Sequence, residues 1–162
     1  MYLWTMTISL LGVRMPRPSA HLTYTQNEKY EIFRSAFSKL NDYVKLKQYL
    51  AAHILAFSIL EDRVLSARIQ CGELSNKPID EKANKNKIPF EASANRLLEW
   101  GVINDDLFKS LMQCGDERNE FIHQAMWRLD DFNFASIVQL RKTINDLESS
   151  RKKFEKRVGA KK

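Results

Sequence analysis

The stretch Arg118-Asn119-Glu120-Phe121-Ile122-His123 holds two side chains whose combination suits phosphodiester chemistry. Histidine has an ordinary pKa that lets it take or give a proton near neutrality. Arginine brings a permanent charge and a rigid fork of donors that matches phosphate oxygens. On a helix Asn119 and His123 stand at i and i+4 and share a face. Arg118 and His123 lie about 140° apart around the axis, so only the length of the arginine brings them to a common cleft. An arginine and a histidine this close can equally be a solvated charge and a half-buried imidazole. The elements that carry them therefore matter.

The chain of 162 residues is one domain's worth, long enough to bury a core, and its five glycines and four prolines suit a helical protein with few turns. Helical signals begin at Thr25, an N-cap with Glu28 three residues on as a capping box. Tyr30, Phe33, Phe37 and Leu40 continue as a stripe, and Asn41-Asp42 predicts a turn or kink. In the second helix Leu46, Leu50, His53, Phe57, Leu60, Val64, Ala67 and Cys71 follow one another at alternating spacings of four and three. Ile54, Leu55 and Ile59 widen this stripe, and Gly72 is placed to end the helix. His53, inside the stripe, reads as a core histidine rather than a ligand. The charges Glu61-Asp62-Arg63 on its flank either face water or line a polar cleft.

Residues Glu73 to Pro89 read as an exposed, mobile loop. A short helix follows from Phe90 to Trp100, closed by Gly101. Asn104 or Asp105 caps a fourth helix, with Phe108, Leu111 and Met112 inward and a kink expected at Cys114-Gly115. The inward stripe then resumes at Asn119, Ile122, Met126 and Leu129. That register turns Asn119 inward, where a polar group needs partners from a cleft or a subunit interface. Asp130 to Asn133 forms a turn and cap, and a fifth helix runs from Phe134 to Val158 through Ile137, Ile144, Leu147 and Phe154. The expectation is an all-α bundle of four long helices and one short one over residues 25–158, with a poorly structured segment 1–24 before it and a basic tail 159–162 after it. No glycine-rich phosphate loop, nucleophile elbow or acidic cluster with metal-ligand spacing occurs, so neither a cofactor nor a metal is expected.

Net charge is +6, and Arg141 to Lys162 holds nine Lys or Arg against three acids, which leaves the rest of the chain neutral. Arg151, Lys152, Lys153, Lys156 and Arg157 are thus candidate contacts to RNA or another polyanion, or else a solvated face set favourably on the helix dipole. Cys71 and Cys114 form no Cys-x-x-Cys pair, which removes a zinc knuckle and gives no disulfide framework. They read as small apolar residues near helix ends, in a reducing, cytoplasmic setting. The apolar start, Met1 to Val13, is too short to span a bilayer and lacks the charged n-region of a signal peptide. Met15 is an alternative start of translation.

With the helices placed, the chain resembles the HEPN-domain superfamily, helical bundles marked by an R-x4–6-H motif with Asn, Asp or His after the arginine. Arg118-Asn119-x-x-x-His123 fits that pattern on a late helix, and Leu98-Glu99-Trp100-Gly101-Val102-Ile103-Asn104-Asp105-Asp106-Leu107 is similar to the lead-in of many members. The long apolar second helix carrying Leu60-Glu61 also agrees. The resemblance covers roughly Thr25 to Val158 and implies metal-independent RNA cleavage, often by toxins of toxin–antitoxin or phage-defence systems. It implies a homodimer whose two motifs line one cleft, and possession of a cognate antitoxin protein. It further implies His123 as general acid or base, Arg118 as the grip on the scissile phosphate and Asn119 as an orienting group. Members paired with a nucleotidyltransferase antitoxin usually carry tyrosine two residues after the histidine. Ala125 stands there in this chain and sets it outside that branch. Other members are inactive and serve as nucleic-acid-binding, protein-binding or dimerisation modules.

Overall fold

Apolar residues spaced every third or fourth position need a helical partner on more than one side, and α2 (Tyr49–Leu74) has several. The computed structural model describes residues 26–75, 90–124 and 133–160, with side chains over 28–75, 90–120 and 133–160. Around α2 stand α1 (Gln26–Lys45), α3 (Phe90–Glu99), α4 (Asp105–Gln124) and α5 (Phe134–Gly159). No strand occurs among the described residues, so the protein is all-α. The pairing of α2 with α5 is the most extensive, and α1 and α3 cover further faces of α2. Leu60 and Val64 from α2, Leu97 from α3, Leu111 from α4 and Ile137, Leu140, Ile144 and Leu147 from α5 form the buried centre. Among the described residues no helix is long and apolar enough to cross a membrane.

The ends of the elements depart from the sequence expectation in instructive ways. Asn41-Asp42 does not break α1, which runs on to Lys45. Buried Leu40 and half-buried Tyr43 and Val44 pack on the core around the two polar residues, and tertiary packing outweighs their weak helix propensity. The chain turns instead at Lys47, whose φ is 57°, where Gln48 N–H donates to Tyr43 O at 2.8 Å. Leu46 falls in this turn and is 66% exposed, so it does not belong to the α2 stripe. At its other end α2 passes through buried Gly72 and stops at Leu74. Ser75 takes the cap position and donates its N–H to Cys71 O and Gly72 O.

The link from α3 to α4 is short and fully bonded. Gly101 adopts φ +66°, its N–H reaches Leu98 O at 2.9 Å, and Val102 N–H reaches Leu97 O at 2.9 Å. Together these form a Schellman motif, closed by the apolar neighbours Val102 and Leu97. Trp100 lies in this turn rather than in α3. Asn104, not Asp105, caps α4, its Oδ1 accepting from Leu107 N–H at 3.0 Å. Cys114-Gly115 falls within an unbroken α4, where Phe90 packs 3.5 Å from the point a Cβ on Gly115 would occupy. Asn133 caps α5 through Ser136 N–H at 3.2 Å. The expected Thr25 cap, the loop over 76–89 and the turn at Asp130 to Phe132 lie outside the described residues, as do the 1–24 segment and residues 161–162.

Candidate functional site

Among the described side chains of α4 the buried ones are Leu107, Leu111 and Cys114, separated by four and three positions. One further step of four lands on Arg118. The inward stripe of this helix therefore passes through Arg118, and Asn119, about 100° further round, is exposed. This corrects the expectation of an inward Asn119. Adjacent apolar residues at 107 and 108 allowed two registers, and Leu107 rather than Phe108 is the buried one.

A charged residue on an inward stripe must find partners, and Arg118 has three. Its guanidinium carbon stands 5.3 Å from the centroid of the Phe57 ring. Its Nη2 lies 3.9 Å from Glu61 Oε1, and its Nη1 donates to Asn119 Oδ1 at 3.1 Å. Phe57 is itself held by Phe90 at 5.6 Å between ring centroids. An aromatic face from α2 thus supports the arginine from below, while 39% of its side chain remains open to solvent. His123 is in the last turn of the same helix, about 7.5 Å further along the axis at the helical rise. Its side chain lies outside the described residues.

Comparison with family models, curated proteins and solved structures finds no match for this chain.

The five basic residues of α5 expected to contact RNA divide into two sets. Lys152, Lys153 and Lys156 are exposed, and Arg157 is exposed as well but donates from Nη2 to Gly101 O at 3.0 Å. Arg151 behaves differently. Only 18% of its side chain is exposed; it donates to Glu148 Oε2 at 2.9 Å, to Gln70 Oε1 at 3.0 Å and to Glu155. The arginine predicted as an RNA contact is therefore engaged across the α2–α5 seam. Spacing alone missed this, because Arg151 lies one position from the exposed Lys152, on the side of α5 turned to Gln70.

The α2 charges also separate by role. Glu61 faces Arg118. Arg63 lies with its guanidinium carbon 3.3 Å from the Phe33 ring centroid and pairs with Glu148 at 3.3 Å and Asp62 at 3.5 Å. It joins α1, α2 and α5. His53 is 3% exposed, and burial lowers its pKa, so its imidazole is held neutral in the core. Both cysteines are buried thiols; burial pushes Cys71 up to about 11 and raises Cys114. Cys114 lies mid-helix rather than near an end, its Sγ 3.8 Å from Thr143 Oγ1. Among the described residues no three His, Cys, Asp or Glu side chains converge as a metal site.

Proposed function

We propose that the protein is a metal-independent endoribonuclease of the HEPN type, acting in a toxin–antitoxin or phage-defence role. The observation that carries this reading is the presentation of Arg118. A half-buried, permanently charged fork rests on Phe57, with Asn119 beside it and His123 five residues along the same helix. Glu61 is loosely paired at 3.9 Å, so an incoming phosphate can share or displace it at small cost.

In this mechanism His123 removes the proton from a ribose 2′-OH as the oxygen attacks the adjacent phosphorus. Arg118 binds the non-bridging oxygens and stabilises the charge that develops on them. The 5′-oxygen leaves with a proton from a second acid, which leaves a 2′,3′-cyclic phosphate end. Pairing of two protomers along α4 supplies that acid as the second His123 and brings both motifs to one groove. The RNA, a second copy of the chain and an antitoxin protein are then its partners.

His123→Ala tests the reading. The folded variant should lose RNA cleavage by about 10² to 10⁴, and the parent should retain activity in a chelator and release cyclic phosphate ends. A folded variant that cleaves RNA at the parent rate refutes it. A non-catalytic RNA-binding module is the second reading, favoured by the exposed Lys152, Lys153 and Lys156 on α5. It gains if parent and variant bind RNA equally and neither cuts it.

A further inference from the structure

The Schellman turn after α3 packs against the last turns of α5, and between them lies a groove of about 300 Å³. Val102, Ile103 and Phe154 line it and are nearly fully buried, so its base is apolar. Its charged lining residues are both cations, Lys153 and Arg157. They stand at i and i+4 on one helix, an arrangement of like charges that costs free energy when nothing lies between them.

Arg157 is held in place before any ligand arrives. It donates from Nη2 to Gly101 O at 3.0 Å, and its guanidinium carbon lies 5.1 Å from the Phe154 ring centroid. The left-handed backbone of Gly101 belongs to the turn that presents this carbonyl. One nitrogen is committed, and the other donors of the fork remain for a ligand. Lys153 makes no hydrogen bond or ion pair among the described residues. The start of α4 adds little here, since Asn104 caps it and Asp105 and Asp106 fill its first turn.

We propose that this groove is a phosphate-binding site, with Arg157 and Lys153 as its donors, taking a phosphate of an RNA strand or of a free nucleotide. A bridging anion relieves the repulsion between the two cations and meets a fork whose ordering cost is already met. The volume suits a single nucleotide rather than a duplex. The groove begins at Asn104, about 21 Å from Arg118 along α4 at the helical rise, so it is separate from the motif. It needs no cleavage chemistry; only an RNA strand as the source of the phosphate rests on the function proposed above.

The test uses the full chain and a short 2′-O-methyl oligouridylate, which cannot be cut because its 2′ oxygen is blocked. Inorganic phosphate and adenosine monophosphate are titrated in parallel, and the backbone amides of Gly101 to Asn104 are followed by NMR. Movement with the oligonucleotide alone assigns an RNA strand, and movement with the monophosphate assigns a nucleotide. Stationary amides with all three probes overturn the site. Lys153→Ala with Arg157→Ala should weaken the binding probe about 10-fold at moderate salt. Arg157→Lys, which keeps the charge, should lose several-fold, while Lys142→Ala should change affinity less than about 2-fold, as expected of an exposed charge outside the groove that Asp146 already pairs. Equal losses for Arg157→Lys and Lys142→Ala would mean diffuse attraction and no built site. Cleavage is read separately, so inactivity of the parent refutes the nuclease reading and leaves this result standing.

Discussion

Arg118 of α4 and Glu61 of α2 approach to 3.9 Å, with 39% and 41% of their side chains exposed. A pair this open and this long contributes at most about 1 kcal/mol to stability. Its effect is to aim the guanidinium while Phe57 supports it from the core side. In the proposed reaction this loose pairing lets Arg118 exchange Glu61 for a phosphate.

Arg118→Lys should therefore leave the fold almost untouched and remove most activity. Lysine keeps the charge but loses the two-point grip on phosphate, and a loss of about 10² in cleavage rate is expected. The urea midpoint should correspond to a change within about 1 kcal/mol. A variant that unfolds, or one that cleaves at the parent rate, contradicts the role given to this arginine.

The five helices among the described residues were legible because helical spacing persists wherever the core is continuous, as from Phe57 through Cys71 in α2. Boundaries were less so. Leu46 fits the α2 pattern by type and spacing, yet the turn at Lys47 is set by backbone bonds to Tyr43 and Val44 that no pattern encodes. The register of α4 was ambiguous for a related reason. Leu107 and Phe108 are both apolar, and only packing decides that Leu107, Leu111 and Cys114 lead to Arg118. Arg118 and Glu61 were visible as charges in the sequence, but their meeting across two helices depends on tertiary contact. Likewise the Arg151 cluster joins residues 81 positions apart.

Arg151 and Lys152 are adjacent in sequence and should respond very differently to removal of charge. Arg151→Met leaves Glu148 and Glu155 without the guanidinium that sits between them, and the loss should be about 1–3 kcal/mol for this partly buried cluster. Lys152 is exposed, and Lys152→Met should stay within about 0.5 kcal/mol. Equilibrium urea unfolding of both variants measures the contrast; equal effects would deny Arg151 its structural role.

Cys71 and Cys114 should resist thiol reagents in the folded protein. Both are buried, and with the Cys71 pKa at about 11 only about one molecule in 10³ carries its thiolate at pH 8. Labelling with a chromogenic disulfide at pH 8 should therefore proceed at the rate of unfolding and become fast in denaturant. Rapid stoichiometric labelling of the native protein would show that the α2 and α4 packing around these sulfurs is looser than described.

His53 gives a dependence of stability on pH whose sign follows from its burial. Desolvation lowers its folded-state pKa below the ordinary value of 6.5, while the unfolded chain retains that value. Below pH 6.5 the unfolded state thus binds more protons than the folded state, and stability rises with pH in that range. The contribution is fully present above 6.5 and is lost as pH falls through the folded pKa, at up to about 1.4 kcal/mol per pH unit. His53→Gln keeps a polar side chain of similar size and removes the titration. Urea unfolding at steps between about pH 7.5 and 5, above the range where carboxylates begin to dominate, should show a steeper fall for the parent than for the variant. The other two histidines, His21 and His123, are common to both proteins, so the difference between the two slopes isolates His53. Identical slopes would mean that this imidazole titrates as it does in water and is not held neutral in the core.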